Sequence, residues 1–340
     1  MSDNWEVPSR VSSPRFVGRA AELATLDAAV ARTAAGQSAA VLLAGDAGIG
    51  KSRLVAEFER RAQDAGAEVL VGECVELTEG ELPYGPIVAA LRPLIGPADD
   101  GPIAALHPAV RGALARLWPE LADSGGVEQD EFARGQLFEA VHRVLAVLAA
   151  ERPVVLIIED LHWADRSTRD LLAFLIRNAP HERVLFVASY RTDEVNRRHP
   201  LHQFISELER SGRAERLTVP AFDLFELREQ LTGILGEEPD PRLARRLHER
   251  SEGNPFFAEE LLAAADAGML PDSLLDALLA RVERLTDPAR RSPSSASPTL
   301  PRRRASPTPS GSSRSQPALR TAPGRNDLRP IRDPRRVVRS

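Results

Sequence analysis

The sequence predicts an α/β fold in which a parallel sheet is sandwiched by helices, followed by a small helical lid domain and a disordered tail. Three observations predict it. Short β-type runs alternate with helical ones over the first 220 residues, strand signals stop after Pro220, and from Ser292 onward the composition turns to Ser, Pro and Arg with no aromatic residue. Strands alternating with helices imply βαβ units, whose crossovers put helices on both faces of a parallel sheet.

Taken in order, a helix is expected over Ala21–Arg32, then a strand over Ala40–Ala44, a helix over Lys51–Arg61 and a strand over Glu68–Cys74. Around Pro97–Asp130 the pattern is a helical insertion with loops. Val154–Ile158 is a continuous apolar run, as expected of a central strand covered on both sides. A helix over Ser167–Arg177 and strands over Val184–Tyr190 and Arg216–Val219 complete the first domain. Beyond Pro220, Leu224–Leu235, Pro241–Arg250, Pro255–Ala264 and Pro271–Leu285 read as four helices. Three open at Pro, which is tolerated in a first turn because no donor is needed there. The expected division is an N-terminal segment 1–13, an α/β domain 14–221, a lid 222–288 and a tail 289–340. The tail buries too little apolar surface to offset its ordering entropy. Its abrupt start, where a further helix should begin, fits either an out-of-frame translation of a GC-rich gene or a genuine disordered basic tail.

Composition excludes several classes. An apolar content of 43% suits a globular protein, and one cysteine allows no internal disulfide. No apolar run approaches the roughly 20 residues a membrane span needs. The N-terminus lacks the basic-then-apolar order of a secretory signal, so the cytoplasm is the expected compartment. The net charge of -5 hides an asymmetry: residues 290–340 carry thirteen arginines against Asp327 and Asp333, leaving -16 on residues 1–289. An acidic body does not suggest a nucleic-acid groove, and a basic tail binds polyanions without reading them, so specific DNA binding is not expected.

Lys51 is the only lysine of the chain, and it stands in Gly45-Asp46-Ala47-Gly48-Ile49-Gly50-Lys51-Ser52, which fits G-x-x-x-x-G-K-[ST] between a strand and a helix. In such a loop the glycines let backbone N–H groups wrap a phosphate at a helix N-terminus, where the dipole also favours an anion. Lys51 would reach the β and γ phosphates and Ser52 would hold Mg²⁺, with Arg53 beside them. Arginine is too broad and planar for that cradle. A second site supports the first: the strand Val154–Ile158 ends in Glu159 and Asp160. The first is placed to bind the metal, directly or through water, and the second to orient or activate an attacking water. His162 and Trp163 read as packing residues, and Cys74 as a small buried hydrophobe.

These residues, with Phe16-Val-Gly-Arg19, "LLAGDAGIGKSRL", "VVLIIEDLHWAD", "FVASYRTDE" and "SEGNPFFAEELL", resemble the STAND class of AAA-like P-loop ATPases, in particular the ATPase module of large LuxR-type transcriptional regulators. The resemblance covers residues 14–288. It implies that Val17 and Arg19 lie by the adenine, that Arg191 senses the γ phosphate, and that Pro255 of Gly253-Asn-Pro255 contacts the nucleotide from the lid. Two positions depart from the pattern: Ala20 replaces a common acid, and Glu159 a common aspartate. Such proteins normally continue into a winged-helix region, helical repeats and a C-terminal effector module, none of which is visible in this sequence.

The expected function is therefore an Mg²⁺- and ATP-dependent switch, hydrolysing slowly, with ATP and ADP as ligands and nucleotide-dependent self-association as its output. A nucleotide-binding scaffold without turnover is the alternative. A DNA-binding protein acting through its arginine tail is a third reading, from another class.

Overall fold

The computed structural model describes residues 12–76, 83–95, 103, 106–121, 131–179 and 181–266, all within the compact unit Met1–Pro293. The expected helix Pro271–Leu285 and the Ser/Pro/Arg tail lie outside the described residues.

Five strands, β1 (Ala39–Gly45), β2 (Glu68–Glu73), β3 (Val154–Glu159), β4 (Val184–Arg191) and β5 (Glu215–Thr218), form one sheet in the order β2-β3-β4-β1-β5. Every pairing is parallel. This is the α/β architecture that the alternation of strands and helices predicts. Because all strands run the same way, the loops leaving β1, β3 and β4 open on one edge, where open α/β sheets bind ligands.

Side chains alternate between the two faces, as a strand's period of two requires. Val41, Leu43, Val155, Ile157, Leu185 and Val187 point to one side, where α1 (Ala20–Ala34) and α2 (Lys51–Asp64) cover them with Leu26, Leu54 and Phe58. Leu42, Leu156, Ile158 and Phe186 point to the other. There they meet α3 (Gly85–Leu91), α5 (Glu131–Glu151), α6 (Arg166–Asn178) and α7 (Pro200–Arg210), through residues such as Ile87, Val141, Leu171 and Ile205. Burying each of these larger side chains contributes roughly 1.5–3 kcal/mol. In the insertion, α4 (Pro108–Leu114) is a short helix packed on α5, and buried Trp118 follows it.

The lid's described helices are α8 (Leu224–Leu235), α9 (Pro241–Ser251) and α10 (Pro255–Asp266), around a core of Phe222, Leu227, Leu231, Ala244, Leu247, Ala258 and Leu261. Their starts are fixed by side chains that satisfy first-turn donors. Asp223 and Glu226 form a reciprocal capping box on α8. Asp240 caps α9, whose first position is Pro241.

Val17 belongs to the lid's core, and Ser13 is buried, its N–H donating to Glu259 of α10 at 3.3 Å. The Ser12 hydroxyl donates to the same carboxylate at 3.2 Å, and Arg53 of α2 donates to the carbonyls of Ser13 and Arg15 at 2.6 and 2.9 Å. Residues 12–17 thus form a strap between the P-loop helix and the lid. Among the described residues no helix is long and apolar enough to cross a membrane.

Candidate functional site

The loop Gly45–Ser52 turns from β1 into α2 at the open edge of the sheet. Gly48 and Gly50 both have positive φ, and a Cβ at Gly48 would stand 2.9 Å from Phe256 and 3.0 Å from Asn254 of the lid, so only glycine allows so close an approach. Lys51, buried at the first position of α2, donates from Nζ to the carbonyls of Gly45 and Asp46 at 2.8 and 2.9 Å. Burial holds its ammonium below the usual lysine range, opposed by Asp160. Asp46, exposed, accepts from the Thr192 hydroxyl, Ala47 offers its carbonyl to the lid, and the Ile49 side chain is packed in the core.

The two acids end β3 on the same edge. Burial raises the Glu159 carboxyl above its ordinary range, opposed by the nearby Ser52 hydroxyl. Asp160 takes a left-handed conformation, φ 53°, and donates its backbone N–H to the Ser189 hydroxyl of β4 at 3.1 Å. Burial raises its pKa too, countered by Arg191 and Lys51. Asp165, not Asp160, caps α6, accepting from the Thr168 N–H at 3.0 Å. Arg191 is paired in register with Gly45 across the β1–β4 ladder, which places it beside the loop. Its guanidinium donates to Glu194 at 2.7 Å and lies over the Trp163 ring, 4.9 Å from the centroid.

Many of these groups line one cleft of about 500 Å³, whose walls include Gly48, Gly50, Lys51, Ser52, Asp160 and Arg191 from the α/β domain and Gln230, Pro255 and Glu259 from the lid, while Glu159 is not part of the lining. A smaller cavity of about 30 Å³ shares Gly50, Arg53, Gln230 and Pro255 with it and extends to Phe16, Val17, Arg19 and Phe222. The structure therefore brings Val17, Arg19 and Pro255 to the same site as the loop. Arg19 is buried and in a left-handed conformation; it donates to the Ile49 carbonyl at 3.0 Å and stacks on Phe222 at 4.6 Å. Burial lowers its pKa, against Glu22.

Three residues at the site went unread in the sequence. Asn254 donates from Nδ2 to the Ala47 carbonyl at 2.9 Å while its Oδ1 accepts the Phe256 N–H, so one side chain both caps α10 and ties the lid to the loop. Phe256 N–H donates to the Gly48 carbonyl at 3.3 Å. Buried Gln230 donates to Glu259 and to the Pro255 carbonyl at 2.7 and 3.2 Å. For Asn254 and Phe256 the signal lay in the "SEGNPFF" stretch, whose Gly253-Asn-Pro255 was read only for the proline; Gln230 carries no local signal. Cys74 is buried and free, and burial pushes its thiol up to about 12, which makes it inert.

Chemically, the cleft offers backbone donors at a helix N-terminus, the ammonium of Lys51, the guanidinium groups of Arg53 and Arg191, and the carboxyls of Asp160 and Glu259. Ser52 and Glu159 fit Mg²⁺, since they are hard oxygen donors held side by side, and this ion commonly takes one or two protein ligands with phosphate and water completing its shell. Among the described residues no cluster of three or more His, Cys, Asp or Glu stands ready to hold a metal alone.

An uncharacterized protein of Rhizobium meliloti (strain 1021) is 28% identical over 299 residues, covering 80% of this chain. The chain spans only 27% of that relative's length. Among solved structures, a RuvB mutant of Thermotoga maritima superposes with a TM-score of 0.40 at 18% identity, over 72% of this chain and 61% of that one. The Drosophila ORC bound to DNA gives 0.45 at 15%, over 79% and 62%, and a STAND protein with a tetratricopeptide repeat sensor from Pyrococcus horikoshii 0.39 at 16%, over 73% and 30%. The family profile described as AAA ATPase domain matches residues 15–187, just over half of the chain, and includes the loop, both acids and β1 to β3. With the five-stranded parallel sheet beneath that match, the chain belongs to the AAA ATPase domain family.

Proposed function

We propose that this protein is an Mg²⁺-dependent, ATP-binding switch module with slow hydrolysis, part of a signal-transduction regulator of the LuxR type. The observation that carries the switch is the pair of bonds from Asn254 and Phe256 to the carbonyls of Ala47 and Gly48, which join the lid to the phosphate loop. A group that fills the loop must adjust those contacts, so lid position and occupancy are linked.

In this reading the N–H groups of the loop and Lys51 hold the β and γ phosphates, and Lys51 leaves the Gly45 and Asp46 carbonyls to do so. Ser52 and Glu159 would hold the metal, which would supply neutralisation of phosphate charge. Asp160 accepts a proton from, or orients, the attacking water, and Arg191 meets charge developing on the transferred phosphoryl group. Val17 and Arg19 flank the base, and Pro255 closes over the nucleotide from the lid. The reading as a scaffold without turnover draws support from one feature: Arg191 is engaged by Glu194.

The test is nucleotide binding and steady-state phosphate release by the full chain, with and without Mg²⁺, for wild type, Lys51→Ala and Asp160→Ala. Loss of affinity in the first and of metal-dependent turnover in the second is expected. Unchanged affinity in Lys51→Ala would sink the site; tight binding with no turnover above Asp160→Ala would favour the scaffold. Sedimentation with ATP and with ADP tests self-association as the output.

A further inference from the structure

His162 reads from sequence as a packing residue, yet its side chain is wholly buried and neither ring nitrogen has a hydrogen-bond partner. Buried polar atoms are nearly always satisfied, so this exception needs a reason. Two carboxylates flank the ring: Nδ1 lies 3.9 Å from Asp160 Oδ1, and Nε2 lies 3.4 Å from Glu194 Oε2. The other oxygen of Glu194 accepts from Arg191 at 2.7 Å, and Arg191 and Asp160 both line the cleft. Trp163 closes the cluster, its ring 4.6 Å from that of His162 and beneath the Arg191 guanidinium. Burial, with Arg191 and Lys51 nearby, pushes the imidazole down to about 3, so it is neutral and carries one N–H. One proton stands between two anions.

We propose that His162 is a positioning residue that makes Asp160 and Glu194 alternative acceptors of a single imidazole N–H, so that Asp160 is released only when Arg191 leaves Glu194 for the terminal phosphate of a bound nucleoside triphosphate. The inference rests on the switch reading above. While Arg191 pairs with Glu194, as in this structure, that carboxylate is satisfied and Nδ1–H faces Asp160 Oδ1 across 3.9 Å, an electrostatic attraction that stops short of a hydrogen bond. When Arg191 turns to phosphate, Glu194 lacks a donor and draws the proton as Nε2–H. Nδ1 gives its proton to water and Nε2 takes one back, so the net charge is unchanged. The bare Nδ1 lone pair then repels the Asp160 oxygen, which is left free to act on a water in the cleft. A histidine's second nitrogen commonly fixes which tautomer faces a functional group.

The experiment is imidazole ¹⁵N spectroscopy of the full chain labelled at histidine, with Mg²⁺ and either ADP or a non-hydrolysable ATP analogue, His162→Asn identifying the resonance. The Nδ1–H tautomer with ADP and the Nε2–H tautomer with the analogue are expected; one tautomer in both states overturns the proposal. Kinetics supply a second arm. His162→Asn keeps a donor only where Nδ1 stood and should lower kcat about tenfold or more, a part of the 10²–10⁴ a placed base supplies, with nucleotide Kd unchanged. His162→Gln reaches where Nε2 stood and should keep most of the turnover. Equal effects of the two variants, or a change in Kd in place of kcat, overturn it. If Lys51→Ala binds nucleotide as wild type does, the switch reading itself fails; Lys51-dependent binding with an unmoved His162 removes only this inference.

Discussion

Replacing Asn254 separates two jobs held by one side chain. Its Oδ1 accepts the Phe256 N–H at 3.1 Å at the start of α10, and its Nδ2 donates to the Ala47 carbonyl at 2.9 Å. Losing an N-cap to alanine costs about 1 kcal/mol, and losing a largely buried hydrogen bond to a backbone carbonyl costs about 1 kcal/mol more. Asn254→Ala should therefore destabilise the fold by about 2 kcal/mol, a fall in Tm of roughly 4–8 °C for a domain of this size. Asn254→Ser restores a capping acceptor but is too short to reach Ala47, so about half the loss should return. The assay is thermal unfolding without nucleotide for the three proteins, followed by titration with ATP. Both variants should also bind ATP with altered affinity, because the lid has lost its tie to the loop. Equal Tm losses for Ala and Ser, or none in either, would refute the dual assignment.

Further outcomes follow from the same geometry. Lys51→Arg should lose nucleotide affinity nearly as fully as Lys51→Ala, measured by equilibrium titration, because a planar guanidinium does not fit where Nζ now meets two loop carbonyls. Gly253→Ala should unfold at markedly lower temperature, by roughly 2 kcal/mol or more, since φ there is +73° and the added Cβ would stand 2.3 Å from the Phe222 carbonyl. His162 has a folded pKa of about 3 against an ordinary 6.5, so the unfolded chain binds a proton that the fold refuses, and stability should fall as pH drops below about 6.5. In His162→Phe that part of the acid sensitivity should vanish, which a Tm series from pH 7.5 to 5 measures.

Much of this fold is written in local pattern. Val154–Ile158 announces a doubly covered strand because both its faces are apolar, and the glycines and lysine of residues 45–52 mark a turn whose chemistry is local to eight residues. Helix starts at Asp223, Asp240 and Asp165 are likewise legible, since a cap acts within four residues. What the sequence hid depends on distance along the chain. The bond between Ser12 and Glu259 joins positions 247 apart, and neither residue type nor spacing foretells it. Asn254 went unread because its second partner, Ala47, offers only a backbone carbonyl, which every residue has. His162 looked like filler because its isolation is a property of what surrounds it in space.

The strap of residues 12–17 gives the lid a handle. Glu259 grips Ser12 and Ser13 while Arg53 grips the carbonyls of Ser13 and Arg15, so the backbone ahead of Phe16 is clamped between α10 and α2. A tilt of α10 must pull on that backbone or break from it. Load applied to the backbone at Ser12 would thus reach α2, the helix that the phosphate loop opens, as well as α10.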